Sequence, residues 1–251
     1  MSDTHFEFMN RSEGEEFLET LTDLQNKDPA EVCVIAGDFC QIGQHQRFWK
    51  ARMAEICSLY KKVVYTEGNH EFWGTSFKEA EEFVDRAKLS PELSNFHVLR
   101  DGPVEYGGIR FIGDTMWYAV DEDDNMIDFW KIQDSHPGIK DRNQRFVDTV
   151  LNDLRAGDVV VTHHLPFEES VDARYKGDLF NKFFLFDIEN LIPSIPKGIT
   201  FIHGHTHLPM NYQKILGSRT ARVYCNPLAY KNEGTNCNFW NRVAIDVEPA
   251  T

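Results

Sequence analysis

Four short segments of the chain carry residue types that bind divalent cations or move protons. Asp and Asn supply oxygen ligands, while His supplies the imidazole nitrogen that transition metals commonly bind in proteins. The His-x-His pattern is the most specific of them, since two imidazoles at i and i+2 can reach one metal cluster. The segments are Gly37-Asp38, Gly68-Asn69-His70-Glu71, His163-His164 and His203-Gly204-His205-Thr206-His207.

Each segment directly follows a short and continuous apolar run, the pattern of a strand buried on both faces. The runs cover residues 32–36, 63–65, 159–161 and 199–202. Ligands of open α/β sheets bind at the carboxyl ends of the strands. We therefore expect the four segments to converge in space. Taken singly, Gly-Asp and Gly-Asn-His are common turn sequences, and it is their coincidence that favours a metal site.

The apolar runs alternate with helical stretches, which predicts an α/β protein. Helices are expected at residues 46–60, 77–87 and 141–154, and a first helix is expected behind a capping box at Ser12-Glu13-Gly14-Glu15. Gly107-Gly108 predicts a tight hairpin. We expect a two-sheet β-sandwich flanked by helices, with mixed strand directions in the second half. No long Gly, Ser or Pro stretch suggests a linker, so residues 1–251 are predicted to form a single domain.

Charge and composition narrow the classes of partner. The chain has 251 residues, with 26 Lys and Arg against 40 Asp and Glu, for a net charge of −14. This balance argues against a broad DNA-binding face. A small phosphoester, a nucleotide or a nucleic-acid end remains a possible substrate, because bound cations would add positive charge where a phosphate sits.

The five cysteines have no disulfide or CxxC spacing, so reduced thiols are expected. The chain start is acidic and polar, unlike a signal peptide. No apolar run approaches the ~20 residues that span a bilayer. These features predict a cytoplasmic protein without a membrane partner, and they leave the oligomeric state open.

With Asp3-Thr4-His5 near the chain start, the segments resemble the calcineurin-like metallophosphoesterases. The family pattern is D-x-H, G-D, G-N-H-E/D, a strand-end His and G-H-x-H, and all five blocks occur here in order across nearly the whole chain. Further stretches resemble small bacterial and phage members of the family: residues 113–117, 173–178 and 225–227. The resemblance implies a four-layer architecture in which two sheets lie between helices.

The resemblance also implies roles for individual residues. Asp38 would bridge two divalent cations (Mn, Fe, Zn, Co or Ni), and His70 would act as an acid beside the leaving group. The reaction would be hydrolysis of a phosphodiester or phosphomonoester by a metal-bound hydroxide. The remaining ligands would be Asp3, His5 and His207 for the first cation, and Asn69, His163 and His205 for the second.

Several assignments stay open at this stage. The resemblance favours His163 over His164 as the ligand. Glu71 would orient another ligand or lie on an exposed turn. Arg174 and Tyr175 would bind the phosphate or stack on a base, or they would belong to a solvated loop.

The chain start departs from the family pattern, because the buried strand that precedes D-x-H in the family is missing from this sequence. Asp3 and His5 are therefore expected on a loose terminus.

Three alternative functions are a metal-dependent nuclease, a non-catalytic binding module on the same fold, and a structural zinc protein. The nuclease would be expected to carry a basic groove, the binding module would be expected to lack Asp38 or His70, and the zinc protein would be expected to carry Cys-rich spacing. The sequence shows none of these signs.

Overall fold

Two β-sheets stack against each other and are flanked by helices. A computed structural model of the protein describes residues 1–192, 195–230, 233 and 245–247. The apolar residues at 243–247 predict a further strand. That segment lies partly outside the described residues, and its described part, 245–247, is not in a strand. The α/β class and the two-sheet sandwich are confirmed.

The smaller sheet has three parallel strands in the order β1-β2-β3. Val, Ile and Tyr dominate its first two strands, residue types that favour the half-buried pleated surface of a sheet. Helices α1 to α3 belong to the same half of the chain. The elements are α1 (Arg11–Lys27), β1 (Val32–Ala36), α2 (Ile42–Leu59), β2 (Lys62–Thr66), α3 (Phe77–Ala87) and β3 (Phe96–Val98).

The larger sheet has six strands in the order β4-β5-β6-β7-β9-β8. Its four inner strands are parallel, and the two edge strands, β4 and β8, are antiparallel to their neighbours. Gly107 and Gly108 both have positive φ in the predicted hairpin between β4 and β5. The elements are β4 (Val104–Tyr106), β5 (Ile109–Gly113), α4 (Ile127–Lys131), α5 (Ser135–Thr149), β6 (Val159–Val161), β7 (Thr200–His203), β8 (Met210–Leu216) and β9 (Arg219–Cys225).

Alternating side chains divide the core into layers. In β2, Tyr65 packs into a cluster with the helices, whereas Val64 packs with side chains of the larger sheet. In β6, Val159 and Val161 face that same inter-sheet cluster, and Val160 faces a third cluster on the far side. Because successive side chains of a strand point to opposite faces, this pattern places the two sheets face to face between helical layers.

Three predicted helix starts are wrong. Helix α2 begins at Ile42, four residues before the predicted start, and its backbone is non-helical at His45. The first helix is capped by Asn10 instead of Ser12: the Asn10 side chain accepts a hydrogen bond from the Glu13 backbone N–H, and the Glu13 carboxylate accepts one from the Asn10 N–H. Helix α5 begins at Ser135, six residues before the predicted start. Its Pro137 lies in the first turn, where the missing N–H does not break a helical hydrogen bond.

The chain start is not loose. The N-terminal amine donates to the Val34 carbonyl at 2.7 Å, and the Met1 carbonyl accepts from the Ala36 N–H at 2.8 Å. On the other side, Ser2 forms a single parallel bridge with Pro227, just beyond β9. The first residues of the chain therefore lie between β1 and the segment after β9, and Asp3 is fully buried. The expectation of a loose terminus is wrong, although these residues form a bridge and not a full strand.

Within the described residues, no helix is both long and apolar enough to cross a bilayer. The described cysteines, Cys33, Cys40, Cys57 and Cys225, are buried free thiols, as the sequence predicted. Cys237 lies outside the described residues.

Candidate metal centre

The predicted ligand segments meet where the two sheets join. Asp38 follows β1 and Asn69 follows β2 in the smaller sheet, while His163 follows β6 and His205 follows β7 in the larger one. The anchored chain start adds Asp3 and His5 between them. Strands of both sheets thus end at one place, where their polar residues face each other.

The backbone conformation at these positions is unusual. Five of the predicted ligands have positive φ: Asp3 (51°), His5 (45°), Asp38 (51°), His205 (67°) and His207 (51°). Two other non-glycine residues in the described part of the chain share this conformation. Such backbone strain costs about 1–3 kcal/mol per residue and gathers at functional sites, where the surrounding fold enforces it. The strain therefore marks this cluster independently of the chemistry of its side chains.

A first group of ligand atoms comes from Asp3, His5, Asp38 and His207. One ligand atom from each lies within 4.8 Å of all the others. The Nε2 atoms of His5 and His207 are 3.2 Å apart, and Asp3 Oδ1 is 3.4 Å from His207 Nε2. The second oxygen of Asp3 is buried and finds no hydrogen-bond partner among the described residues.

Two carboxylates define the tautomers of the histidines in the first group. Glu7 Oε1 lies 3.3 Å from His5 Nδ1, and Glu233 Oε2 lies 2.6 Å from His207 Nδ1. When each Nδ1–H donates a hydrogen bond to its carboxylate and the rings are neutral, each Nε2 presents a lone pair towards the other. Two facing lone pairs at 3.2 Å repel unless a proton or a cation lies between them.

A second group of ligand atoms comes from Asp38, Asn69, His163 and His205. His163 Nδ1 donates to the Ala36 carbonyl at 3.0 Å, so in the neutral ring its Nε2 is the acceptor. That Nε2 lies 3.0 Å from Asn69 Oδ1, 3.1 Å from His205 Nδ1 and 3.4 Å from Asp38 Oδ2. Acceptors again converge on one point.

These spacings fit bound cations. Two ligands at right angles, each about 2.1 Å from a metal ion, are roughly 3 Å apart. The neutral Asn69 and the imidazoles limit the negative charge, and Asp38 contributes to both groups. The residues present therefore suit two divalent ions that share one carboxylate.

The ionisable groups of the centre shift one another's pKa values. Burial alone would raise the pKa of Asp38, but His163, His70 and His5 hold it well below its usual range. Burial would lower the pKa of His163, yet Asp38 and Asp3 raise it to about 9. In the metal-free protein a proton on His163 thus neutralises part of the charge that a cation would neutralise.

Glu71 is fully buried and holds two ligand loops together. Its carboxylate accepts hydrogen bonds from the backbone N–H groups of Asp38, Phe39 and Gly68, at 3.0, 2.6 and 2.7 Å. Burial, with the nearby charge of Asp38, raises the pKa of Glu71 to about 7. Of the two alternatives for Glu71, the exposed turn is ruled out, and the residue orients the loop that carries Asp38.

His70 lies beside the first group of ligands. Its ring stacks on Trp73 with 3.6 Å between ring centres and 26° between planes. Its Nδ1 is 3.3 Å from Glu7 Oε1, and its Nε2 is 3.1 Å from the Tyr230 hydroxyl. Burial would lower the pKa of His70, but Asp38 and Glu7 raise it. The raised pKa favours the protonated ring, which is the form that can donate a proton.

The neighbouring histidines have other partners. His164 is buried, its Nδ1 lies 3.3 Å from the Thr115 carbonyl, and burial beside His163 lowers its pKa to about 3. It belongs to neither group of converging ligand atoms. His203 bonds to Ser170 Oγ and to the Gly204 carbonyl, each at 2.9 Å.

Arg174 and Tyr175 lie on an exposed loop. The Arg174 guanidinium pairs with Asp172 at 2.6 and 2.8 Å, and this hydrogen bond raises its pKa. Neither side chain has a hydrogen bond to a predicted ligand within the described residues. Their role in substrate binding stays a prediction.

Among the described residues, sequence reasoning missed four whose side chains hydrogen-bond to side chains of the ligands or of His70. Glu7 could have been found, because it lies two residues after His5 and His5 already belonged to a motif. The other three come from distant segments whose local sequence carries no metal-binding pattern. They are Asp128, Tyr230 and Glu233.

The chain belongs to the calcineurin-like phosphoesterase family, whose sequence model matches residues 1–209. Family membership together with the converging ligands supports a metal-dependent phosphoesterase. An uncharacterised protein of Acanthamoeba polyphaga mimivirus is 26% identical over 279 aligned residues, covering 98% of this chain and 95% of the viral protein.

Two solved structures share the fold at low sequence identity. A phosphopantetheinyl hydrolase from Mycobacterium tuberculosis has a TM-score of 0.66 at 12% identity, covering 92% of this chain and 88% of the hydrolase. The protein TT1561 of Thermus thermophilus has a TM-score of 0.54 at 14% identity, covering 89% of this chain and 86% of the Thermus protein. The four-layer architecture is thus that of the family.

Gly68 is the position where a single methyl group should disturb the centre most directly. A Cβ there would lie 2.2 Å from Asp38 Oδ1 and 2.5 Å from the Asp38 nitrogen. We expect Gly68→Ala to weaken Mn²⁺ binding at least about tenfold by displacing Asp38, as measured by isothermal titration calorimetry. Gly14→Ala is the matched control, because a Cβ in α1 meets only ordinary contacts at 3.6 Å or more. Equal affinities in the two variants would contradict this geometry.

Metal binding should depend steeply on pH. The pKa values of His163 and His207 are both raised to about 9, chiefly by Asp38 and Asp3 against the opposing effect of burial. Their protonation stabilises the metal-free fold fully below pH 6.5, and this stabilisation is lost as the pH rises through 9. A cation must displace those protons.

Mn²⁺ affinity should therefore rise between about pH 6 and pH 8.5, by about tenfold per pH unit for each proton released. Calorimetry in two buffers of different ionisation enthalpy would count the protons. An affinity that is constant over this range would show that the two histidines are already neutral.

Proposed function

We propose that the protein hydrolyses a phosphodiester or phosphomonoester, either a small phosphoester or a nucleotide, at a centre of two divalent cations. The observation that carries the proposal is the pair of converging ligand groups that share Asp38. The Asp38 Oδ2 atom is 3.7 Å from His5 Nε2 in the first group and 3.4 Å from His163 Nε2 in the second. One carboxylate is thus within reach of both positions.

The two cations, when bound, would supply the charge that stabilises a transferring phosphoryl group and would make water a better nucleophile. The protein residues keep these positions at a defined separation. Asp38 would bridge them, and Glu71 keeps the Asp38 loop in place through three backbone hydrogen bonds. The mixed His, Asp and Asn donors suit Mn, Fe, Zn, Co or Ni.

His70 is the proposed proton donor to the leaving oxygen. It is held from one side by Trp73, and its Nδ1 faces Glu7, so that its Nε2 is available for the substrate. The Tyr230 hydroxyl now lies next to that Nε2, where a leaving-group oxygen would sit. Proton donation matters most for alcohols that leave poorly.

We further propose that the protein works in the cytoplasm. Its described cysteines are free thiols, as in proteins kept in a reducing compartment.

The proposed activity is tested by hydrolysis of bis-p-nitrophenyl phosphate and p-nitrophenyl phosphate. Metal-stripped protein should be inactive and should gain turnover on addition of Mn²⁺, with Asp38→Ala as the inactive control. The ratio of the two rates would decide between a diester and a monoester preference. Protein that binds two Mn²⁺ ions but cleaves neither probe nor a panel of nucleotides would contradict the proposal in favour of a binding role.

Removal of the proposed acid should separate chemistry from metal binding. His70→Gln should keep two Mn²⁺ ions, because His70 belongs to neither group of ligands proposed for the cations. Its kcat should fall about 10²- to 10⁴-fold on a dinucleotide, whose leaving alcohol needs a proton. On bis-p-nitrophenyl phosphate, whose leaving group is already a weak base, the loss should be smaller.

His97→Gln is the matched control for this variant. His97 lies in β3 and bonds to the Gly102 carbonyl, away from the ligands. The role proposed for His70 is wrong if His70→Gln loses a cation or slows both substrates equally.

A further inference from the structure

Asp128 is a buried acid outside the predicted motifs. It lies on the short helix α4, which belongs to the segment between β5 and α5, and it is 1% exposed. Ion pairing does not explain this burial, because no salt bridge of Asp128 with a Lys or Arg is present among the described residues. A carboxylate that is buried without a cationic partner needs hydrogen-bond donors to compensate for lost water.

Three neutral donors surround the Asp128 carboxylate. Its Oδ1 accepts from Asn69 Nδ2 at 3.0 Å and from the Trp73 indole N–H at 2.8 Å. Its Oδ2 accepts from the Tyr118 hydroxyl at 3.2 Å. Two of these donors belong to the segment after β2, which also carries His70. Asp128, which lies on a different segment, therefore constrains the positions of Asn69 and Trp73.

The bond to Asn69 determines which end of the amide faces the centre. An amide group can present either its oxygen or its nitrogen, and its neighbours decide between them. Because Asp128 can only accept while ionised, it engages the Asn69 nitrogen. The Asn69 oxygen is thereby left to face His163 Nε2 at 3.0 Å. A cation ligand needs this oxygen.

The bond to Trp73 determines the plane of an aromatic ring. The Trp73 indole lies against His70, with 3.6 Å between ring centres. An indole that is fixed at its N–H cannot rotate away from the imidazole. Asp128 Oδ1 thus restrains both Asn69, a proposed metal ligand, and Trp73, the ring that packs against the proposed acid His70.

We infer that Asp128 is a positioning residue, which directs the Asn69 oxygen to the second cation and holds Trp73 against His70. This inference rests on the proposed two-metal function. A purely structural role for the buried carboxylate would change stability alike in the metal-free and metal-loaded protein. A positioning role instead predicts selective loss of one cation.

The decisive variant is Asp128→Leu, which keeps the approximate size of the side chain but removes both acceptor oxygens. We expect the second Mn²⁺ ion to bind about 10- to 100-fold more weakly, as is typical when the hydrogen-bond partner of a ligand is lost. The first ion should bind as in the wild type. Calorimetry would give both affinities, and electron paramagnetic resonance would show loss of the signal from a coupled Mn²⁺ pair.

Asp124→Leu is the matched control on the same segment. Asp124 pairs with Lys182 and accepts from the Asp121 N–H, with no bond to a ligand among the described residues. This variant should bind both ions normally. If it lost the second ion as strongly as Asp128→Leu does, the effect would come from the segment as a whole and the inference would fail.

Trp73→Phe tests the proposed effect on His70 and remains informative if Asp128→Leu does not fold. The phenyl ring can still cover His70, but it lacks the N–H that fixes its plane. Both Mn²⁺ ions should bind normally, while kcat on a dinucleotide should fall more than on bis-p-nitrophenyl phosphate. Equal losses on the two substrates, or none, would overturn the role of Trp73.

The results separate this inference from the function on which it rests. Wild-type protein that does not bind two Mn²⁺ ions would refute the proposed centre itself. Wild-type protein that binds two ions, beside an Asp128→Leu variant that binds them with the same affinities, would refute only the role of Asp128.

Discussion

The structure depends on a cluster of buried ligand atoms in the candidate metal centre. The fold holds these nitrogen and oxygen atoms closer together than their mutual repulsion would otherwise allow. The imidazole nitrogens of His5 and His207 are 3.2 Å apart, although each ring has committed its other nitrogen to a carboxylate. At low dielectric this contact is repulsive while both rings are neutral, so the fold must supply the force that keeps the two neutral rings together. A proton between the two nitrogens relieves this repulsion in the metal-free protein, and a cation is suited to relieve it more completely.

The two-sheet arrangement supplies that force. Each sheet contributes ligands from the ends of adjacent strands, and the apolar layer between the sheets, with Val64, Val159 and Val161, sets their separation. Glu71 ties the loops after β1 and β2, and the strained turns at the ligands are stabilised by packing elsewhere. No single loop of the centre would keep its conformation if it were cut from the sheets.

Much of this arrangement could be predicted from local sequence. The strands at 32–36 and 159–161 were predicted at their observed bounds, because continuous Val and Ile runs favour buried strands. The convergence of the ligand segments followed from strand polarity. Strand β8 was not predicted, because polar residues such as Asn211 and Gln213 interrupt its apolar residues. The anchoring of the chain start and the partners Asp128 and Glu233 depend on tertiary contacts, which no local pattern encodes.

The anchored chain start also bears on how the protein folds. Asp3 and His5 meet His205 and His207 across some two hundred residues of chain, and Ser2 hydrogen-bonds to Asn226 and Leu228. Contacts between residues so far apart in sequence form late in folding, because the entropy of the intervening chain opposes them until both sheets have formed. During synthesis, the first ligand group cannot assemble before residue 207 has left the ribosome. Uptake of a cation would then report that folding is complete, and partly folded chains would not hold a reactive metal.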